Sequence, residues 1–120
     1  MRETVNGADV YVEQAGAGGP SVLLLHGWGC STKHFAPIMD ELKKTMRVTA
    51  IDFPAHGQSG RPPEPWGVPE FASMTAALME KLQIAPADII AHSFGARVAI
   101  VLAATRPELV RHLVLTGAAG

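Results

Sequence analysis

Four short apolar runs, Ser21–His26, Val48–Asp52, Asp88–His92 and Leu113–Thr116, recur along this 120-residue chain with helical patterns between them. The run SVLLLH has no polar alternation, so a strand there must be covered on both faces, as inside a parallel sheet. Parallel neighbours need crossover connections, and the intervening segments supply them. Phe35, Ile38, Met39, Leu42 and Met46 predict a helix starting near Thr32. Phe71, Met74, Leu78 and Leu82 predict a second over Glu70–Gln83, and the alanine-rich Phe94–Thr105 predicts a third. Strand alternating with helix implies right-handed crossovers and a mostly parallel, doubly wound α/β sheet with helices on both faces. Asn6-Gly7, set between Thr4-Val5 and Val10–Glu13, adds an N-terminal β-hairpin, and Gly16–Pro20 links it to the rest. The length admits a single domain over 1–120.

Ligands of such sheets bind beyond the carboxyl ends of the strands. Those ends are His26-Gly27-Trp28, Asp52–His56, Ser93 and Thr116-Gly117, and the proline-rich stretch Phe53–Pro69 is a long loop on the same edge. At the third run, Ala91-His92-Ser93-Phe94-Gly95 places a serine between a strand and a helix, with small residues two positions to either side. A serine at so sharp a turn takes a strained backbone conformation, and larger flanking side chains would collide. The small-x-Ser-x-small pattern alone arises roughly 0.3 times by chance in a chain this rich in Gly and Ala. Its weight comes from the strand before it and the helix after it.

Ten basic and eleven acidic residues give a formal net charge of -1, so nothing favours nucleic acid or an anionic membrane as partner. The chain is 48% hydrophobic and 18% charged, an ordinary globular balance. Charges near the N-terminus and the absence of a secretory apolar segment lead us to expect a cytoplasmic protein. The single Cys30 agrees with a reducing compartment and is expected to be a small buried thiol. No metal cluster or cofactor motif is found, and dinucleotide binding lacks its G-x-G-x-x-G signature.

LLLHGWG (residues 23–29), DFPAHGQSG (52–60) and AHSFGARVA (91–99) occur in that order, and together the chain resembles the N-terminal half of an α/β-hydrolase-fold enzyme, with an esterase-like cast. The resemblance implies that Ser93 is a nucleophile attacking the carbonyl of a small-molecule acyl substrate. It implies an oxyanion hole formed by the backbone N–H groups of Trp28 and Phe94, which leaves both side chains free to line an acyl pocket. His26 is expected to brace the oxyanion loop rather than titrate, and Asp52 to accept backbone N–H bonds that organise Ala55–Ser59. Two positions depart from the family pattern: Ala91 replaces the first glycine of the elbow and Ala55 the glycine of the second loop.

The family's catalytic acid and histidine base follow later strands, yet no carboxylate lies beyond Glu108 and no histidine beyond His112. His112 falls at the wrong end of its strand, and His92 points away from the neighbouring serine. His34 and His56 sit on the correct edge, which leaves a Ser93-His56-Asp52 relay as a formal possibility. The apolar run at Leu113 would also form an uncovered sheet edge. We therefore expect the chain to be the amino-terminal part of a longer hydrolase, inactive alone and completed by a C-terminal segment. The competing expectation is a non-catalytic α/β fragment that pairs with a partner chain or with itself.

Overall fold

A computed structural model describes residues 1–117; Ala118, Ala119 and Gly120, at the end of the stretch after the last apolar run, lie outside the described residues. Strands β1 (Arg2–Val5) and β2 (Ala8–Ala15) form the expected hairpin, turning at Asn6 and Gly7 with φ of 50° and 80°. The apolar runs become β3 (Ser21–Leu25), β4 (Arg47–Asp52), β5 (Ala87–His92) and β6 (Val110–Thr116). The helices are α1 (Ala36–Leu42), α2 (Val68–Lys81) and α3 (Phe94–Thr105).

All six strands join one sheet in the order β1-β2-β4-β3-β5-β6, antiparallel through β2/β4 and parallel from there on. The chain leaves β3 for β4 on one side, then crosses back over β3 to β5 on the other. A crevice opens where the winding reverses, at the carboxyl ends of β3, β4 and β5.

Residue alternation within the strands divides the core. Leu23, Leu25, Ile51 and Ile89 face the side of α2 and α3, where they pack with Phe71, Met74, Leu78, Val98 and Leu102. Val22, Leu24, Val48 and Ala50 face the other side and meet Phe35 and Met39. All five residues of β3 are buried, which is why its sequence shows no alternation. Each buried leucine there contributes roughly 1.5–3 kcal/mol.

The first helix departs from its predicted form. Thr32–Phe35 is a 3-10 turn capped by Ser31, whose Oγ accepts from the Lys33 N–H, and only Ala36–Leu42 is α-helical. Phe35 and Met39 are buried as expected, whereas Ile38 lies off their stripe and is 40% exposed. The second helix begins two residues early, because Pro69 fits its first turn, where a missing N–H costs nothing, and Glu70 Oε1 accepts from the Gly67 N–H at 2.7 Å. Strand β6 begins at Val110, three residues before its apolar run.

Candidate active site at the crevice

Ser93 sits between the last residue of β5 and the first of α3, with φ 52° and ψ −112°. This is the strained turn expected from the pentapeptide. The packing shows why its flanks must be small: Ala91 is fully buried, and a Cβ added to Gly95 would lie 2.5 Å from the Leu25 carbonyl oxygen and 2.6 Å from that of His26. The start of α3 thus presses directly on the end of β3. The Ser93 N–H donates to the Thr116 carbonyl oxygen at 2.9 Å, so β6 also secures the elbow. Ser93 is part-exposed, and among the described residues no side chain hydrogen-bonds its Oγ.

The loop after β3 runs beside this serine. A Cβ on Gly27 would lie 3.2 Å from Ser93 Cβ, and the Cys30 N–H closes a turn on the Gly27 carbonyl at 3.0 Å. Neither the Trp28 nor the Phe94 N–H donates to another protein group among the described residues. The indole of Trp28 is 64% exposed and is no core aromatic. It meets Phe94 edge-on at 5.1 Å and His56 at 4.6 Å, while Phe94 continues inward to Phe53 and Phe71. Cys30, which closes this turn, is half-buried rather than the fully buried thiol expected.

His26 is completely buried and braces the loop as expected. Its Nδ1 lies 2.7 Å from the Gly27 carbonyl oxygen, and its Nε2 accepts the Phe53 N–H at 2.9 Å. Those partners fix the neutral ring with the proton on Nδ1, and burial holds its pKa below the ordinary histidine value. Asp52, also buried, accepts the Gln58 N–H at 2.8 Å and so organises the second loop. Its other oxygen accepts the Thr32 N–H at 2.7 Å, a bond that no local pattern in the sequence announces. Ser59 completes the loop, donating to the Asp52 carbonyl and accepting the Tyr11 N–H at 2.8 Å.

The histidines near the crevice are otherwise engaged. His56 Nδ1 pairs with the Pro54 carbonyl at 3.1 Å, and both Asp52 oxygens are held by backbone, so the structure assembles no Ser93-His56-Asp52 relay. His92 Nδ1 pairs with Thr116 Oγ1 at 2.9 Å and its ring stacks on His34 at 5.2 Å. His112 lies at the far end of β6, 2.8 Å from Asp88. Among the described residues no group of three His, Cys, Asp or Glu side chains could hold a metal ion, and no helix is long and apolar enough to cross a membrane.

A mostly parallel sheet that gathers a strained serine and two ordered loops at its carboxyl edge defines an α/β protein of the doubly wound class, whose ligand crevice lies at that edge. The chain belongs to the alpha/beta hydrolase fold family, whose model matches residues 20–119. It is 39% identical over 95 residues to a pimeloyl-acyl-carrier-protein methyl ester esterase of Neisseria meningitidis serogroup C, covering 79% of this chain and 35% of that protein. It is 35% identical over 118 residues to the 2-hydroxymuconate semialdehyde hydrolase of Pseudomonas sp. strain CF600, covering 95% of this chain and 41% of that one. Among solved structures, the enol-lactonase from Burkholderia xenovorans LB400 superposes with a TM-score of 0.89 at 26% identity, over 94% of this chain and 45% of the other. The chain therefore spans less than half the length of these relatives.

Proposed function

We propose that this chain carries the nucleophile and oxyanion loop of a serine hydrolase that cleaves an ester or other acyl bond of a small-molecule substrate. The observation that carries the reading is the Ser93 backbone, φ 52° and ψ −112°, strained at a strand-to-helix junction with its hydroxyl unengaged among the described residues. Ser93 Oγ adds to the acyl carbonyl as its proton passes to a general base. The tetrahedral oxyanion is met by the Trp28 and Phe94 N–H groups, each worth on the order of 3 kcal/mol of transition-state stabilisation. Collapse expels the protonated leaving group, and water then releases the acid from the acyl-enzyme. The esterase and the enol-lactonase among the similar proteins support an ester as the bond.

No described histidine–carboxylate pair is aimed at Ser93, so we assign the base and its acid to a complementing C-terminal segment and regard the 120 residues alone as inactive. Incubation with a fluorophosphonate, with and without that segment, tests the reading. Ser93 is expected to label rapidly only in the completed protein, and Ser93→Ala to abolish the label. Absence of label at Ser93 in both samples would sink the assignment. The exposed Val114 and Leu115 on the outermost strand favour a second reading, a module that associates through that edge. Sedimentation velocity separates the two, since a monodisperse monomer excludes obligatory pairing.

A further inference from the structure

The loops after β3 and β4 hold each other reciprocally. His26, at the end of β3, reaches across to the backbone of the β4 loop, where its Nε2 takes the Phe53 N–H at 2.9 Å. Asp52, at the end of β4, reaches back to the loop after β3, where Oδ1 takes the Thr32 N–H at 2.7 Å. Both side chains are buried, and the first turn of the loop they hold, from Gly27 to Thr32, contains the peptide joining Gly27 to Trp28.

In a trans peptide the C=O and N–H point in opposite directions. The Gly27 carbonyl oxygen receives two donors, His26 Nδ1 at 2.7 Å and the Cys30 N–H at 3.0 Å, and so is turned into the loop. The N–H of the same unit, on Trp28, is turned out of it, and Gly27 lies against Ser93. We infer that His26 and Asp52 form a reciprocal clasp that fixes the Gly27–Trp28 peptide with its N–H facing the crevice, which makes both of them positioning residues for oxyanion binding. This rests on Ser93 being the nucleophile.

Flipping that peptide would break both bonds to the Gly27 carbonyl. The clasp also requires the His26 tautomer described above, because a proton on Nε2 would evict the Phe53 N–H. The ring is kept neutral by its surroundings: burial foremost, with His56 on the β4 loop and His34 on the 3-10 turn, opposes its charge and outweighs the Gly27 carbonyl and Asp52 on β4, which favour it.

The test has a spectroscopic arm on the 120-residue chain and a kinetic arm on the protein completed by its C-terminal segment. In the first, NMR should find His26 protonated on Nδ1, with a through-hydrogen-bond N–N coupling between the Phe53 amide and His26 Nε2. An Nε2-protonated ring or a missing coupling overturns the clasp. In the second, His26→Asn keeps a donor near the Nδ1 position and loses the far acceptor. It should lower the saturating rate of Ser93 phosphonylation on the order of tenfold to a hundredfold, within the range seen when an oxyanion donor is lost. The half-saturating fluorophosphonate concentration should stay within about twofold, because the peptide N–H acts on the transition state. Thr32→Pro removes the donor on the other limb at a position that suits proline, and should give a smaller drop of the same kind. A urea titration of each variant corrects for unfolded protein. Saturating rates equal to wild type in folded variants overturn the inference, and so does a wild-type protein that takes no label while the coupling is present, since the clasp would then position nothing catalytic.

Discussion

Single positions at the crevice are held by close approach as much as by chemistry. Gly95→Ala would drive a methyl group against the backbone carbonyls of Leu25, the last residue of β3, and His26, the residue after it, neither of which can move without shifting the strand end. It is expected to destabilise the fold by about 2–3 kcal/mol in urea unfolding. Ala55 works in the opposite sense. It replaces the glycine of the family pattern and takes φ 70°, a left-handed conformation that costs an alanine roughly 1–2 kcal/mol, partly offset by the entropy a glycine would lose. Ala55→Gly should therefore raise stability by up to about 1 kcal/mol in the same measurement. His26 adds a pH dependence. Its folded pKa is lowered by burial, so its contribution is complete above the unfolded value of about 6.5 and declines as the pH falls below it. Urea midpoints measured from pH 7.5 to 5 should fall, and His26→Asn should flatten the profile. The sequence made the serine, the small flanks and the bracing role of His26 legible, because local chemistry dictates them. The Thr32–Asp52 bond was not, since it joins residues 20 apart and only the fold creates it.

At the scale of elements, apolar runs located β3 to β6, hydrophobic period located α1 and α2, and the Asn-Gly turn located the hairpin, while capping and long-range pairing moved their ends. Proline in the first turn carried α2 forward to Val68. β6 extends back to Val110 because it is ordered at its start by polar groups rather than apolar ones. The Arg111 guanidinium spans both oxygens of Asp88 at 3.0 Å, and His112 adds a contact at 2.8 Å, across the pair β5/β6. Arg111 foremost holds the Asp88 carboxyl below its usual range. A depressed carboxylate stabilises the folded state above its unfolded pKa, so this contribution is intact above about pH 4 and is lost as acid carries the carboxyl through its lower folded value. The pair lies at the surface, so Asp88→Asn should cost at most about 1 kcal/mol at pH 7. Hydrogen exchange of the β6 amides should quicken in that variant at neutral pH, and the difference from wild type should shrink as the pH falls below about 4. Because Ser93 N–H bonds to Thr116 at the other end of the same strand, loosening β6 reaches the elbow.

The whole molecule is asymmetric about its sheet. α2 and α3 cover one face broadly, whereas the shorter α1 covers the other mainly over β3 and β4, where the smaller of the two clusters lies with Ala15 and Ile90 at its margins. On that thinly covered face Ile90 of β5 pairs with Val114 of β6, which is 51% exposed, and Ile38 of α1 is 40% exposed. β6 is also the outer strand, parallel to its one neighbour, and its far side presents unpaired N–H and C=O groups. An apolar run on an open edge is a template for pairing with another chain. Its alternation does nothing to prevent this, since Leu115, on the opposite face, is 37% exposed as well. Association and folding should then be separable by one substitution. Val114→Lys places a charge on the exposed edge without entering either cluster, so the unfolding free energy from urea titration should change by no more than about 0.5 kcal/mol. The same variant should shift the sedimentation distribution of the 120-residue chain toward monomer at micromolar concentration. An unchanged distribution would show that the sheet edge is not what the chain associates through, and that the exposed apolar surface of β6 is tolerated in isolation.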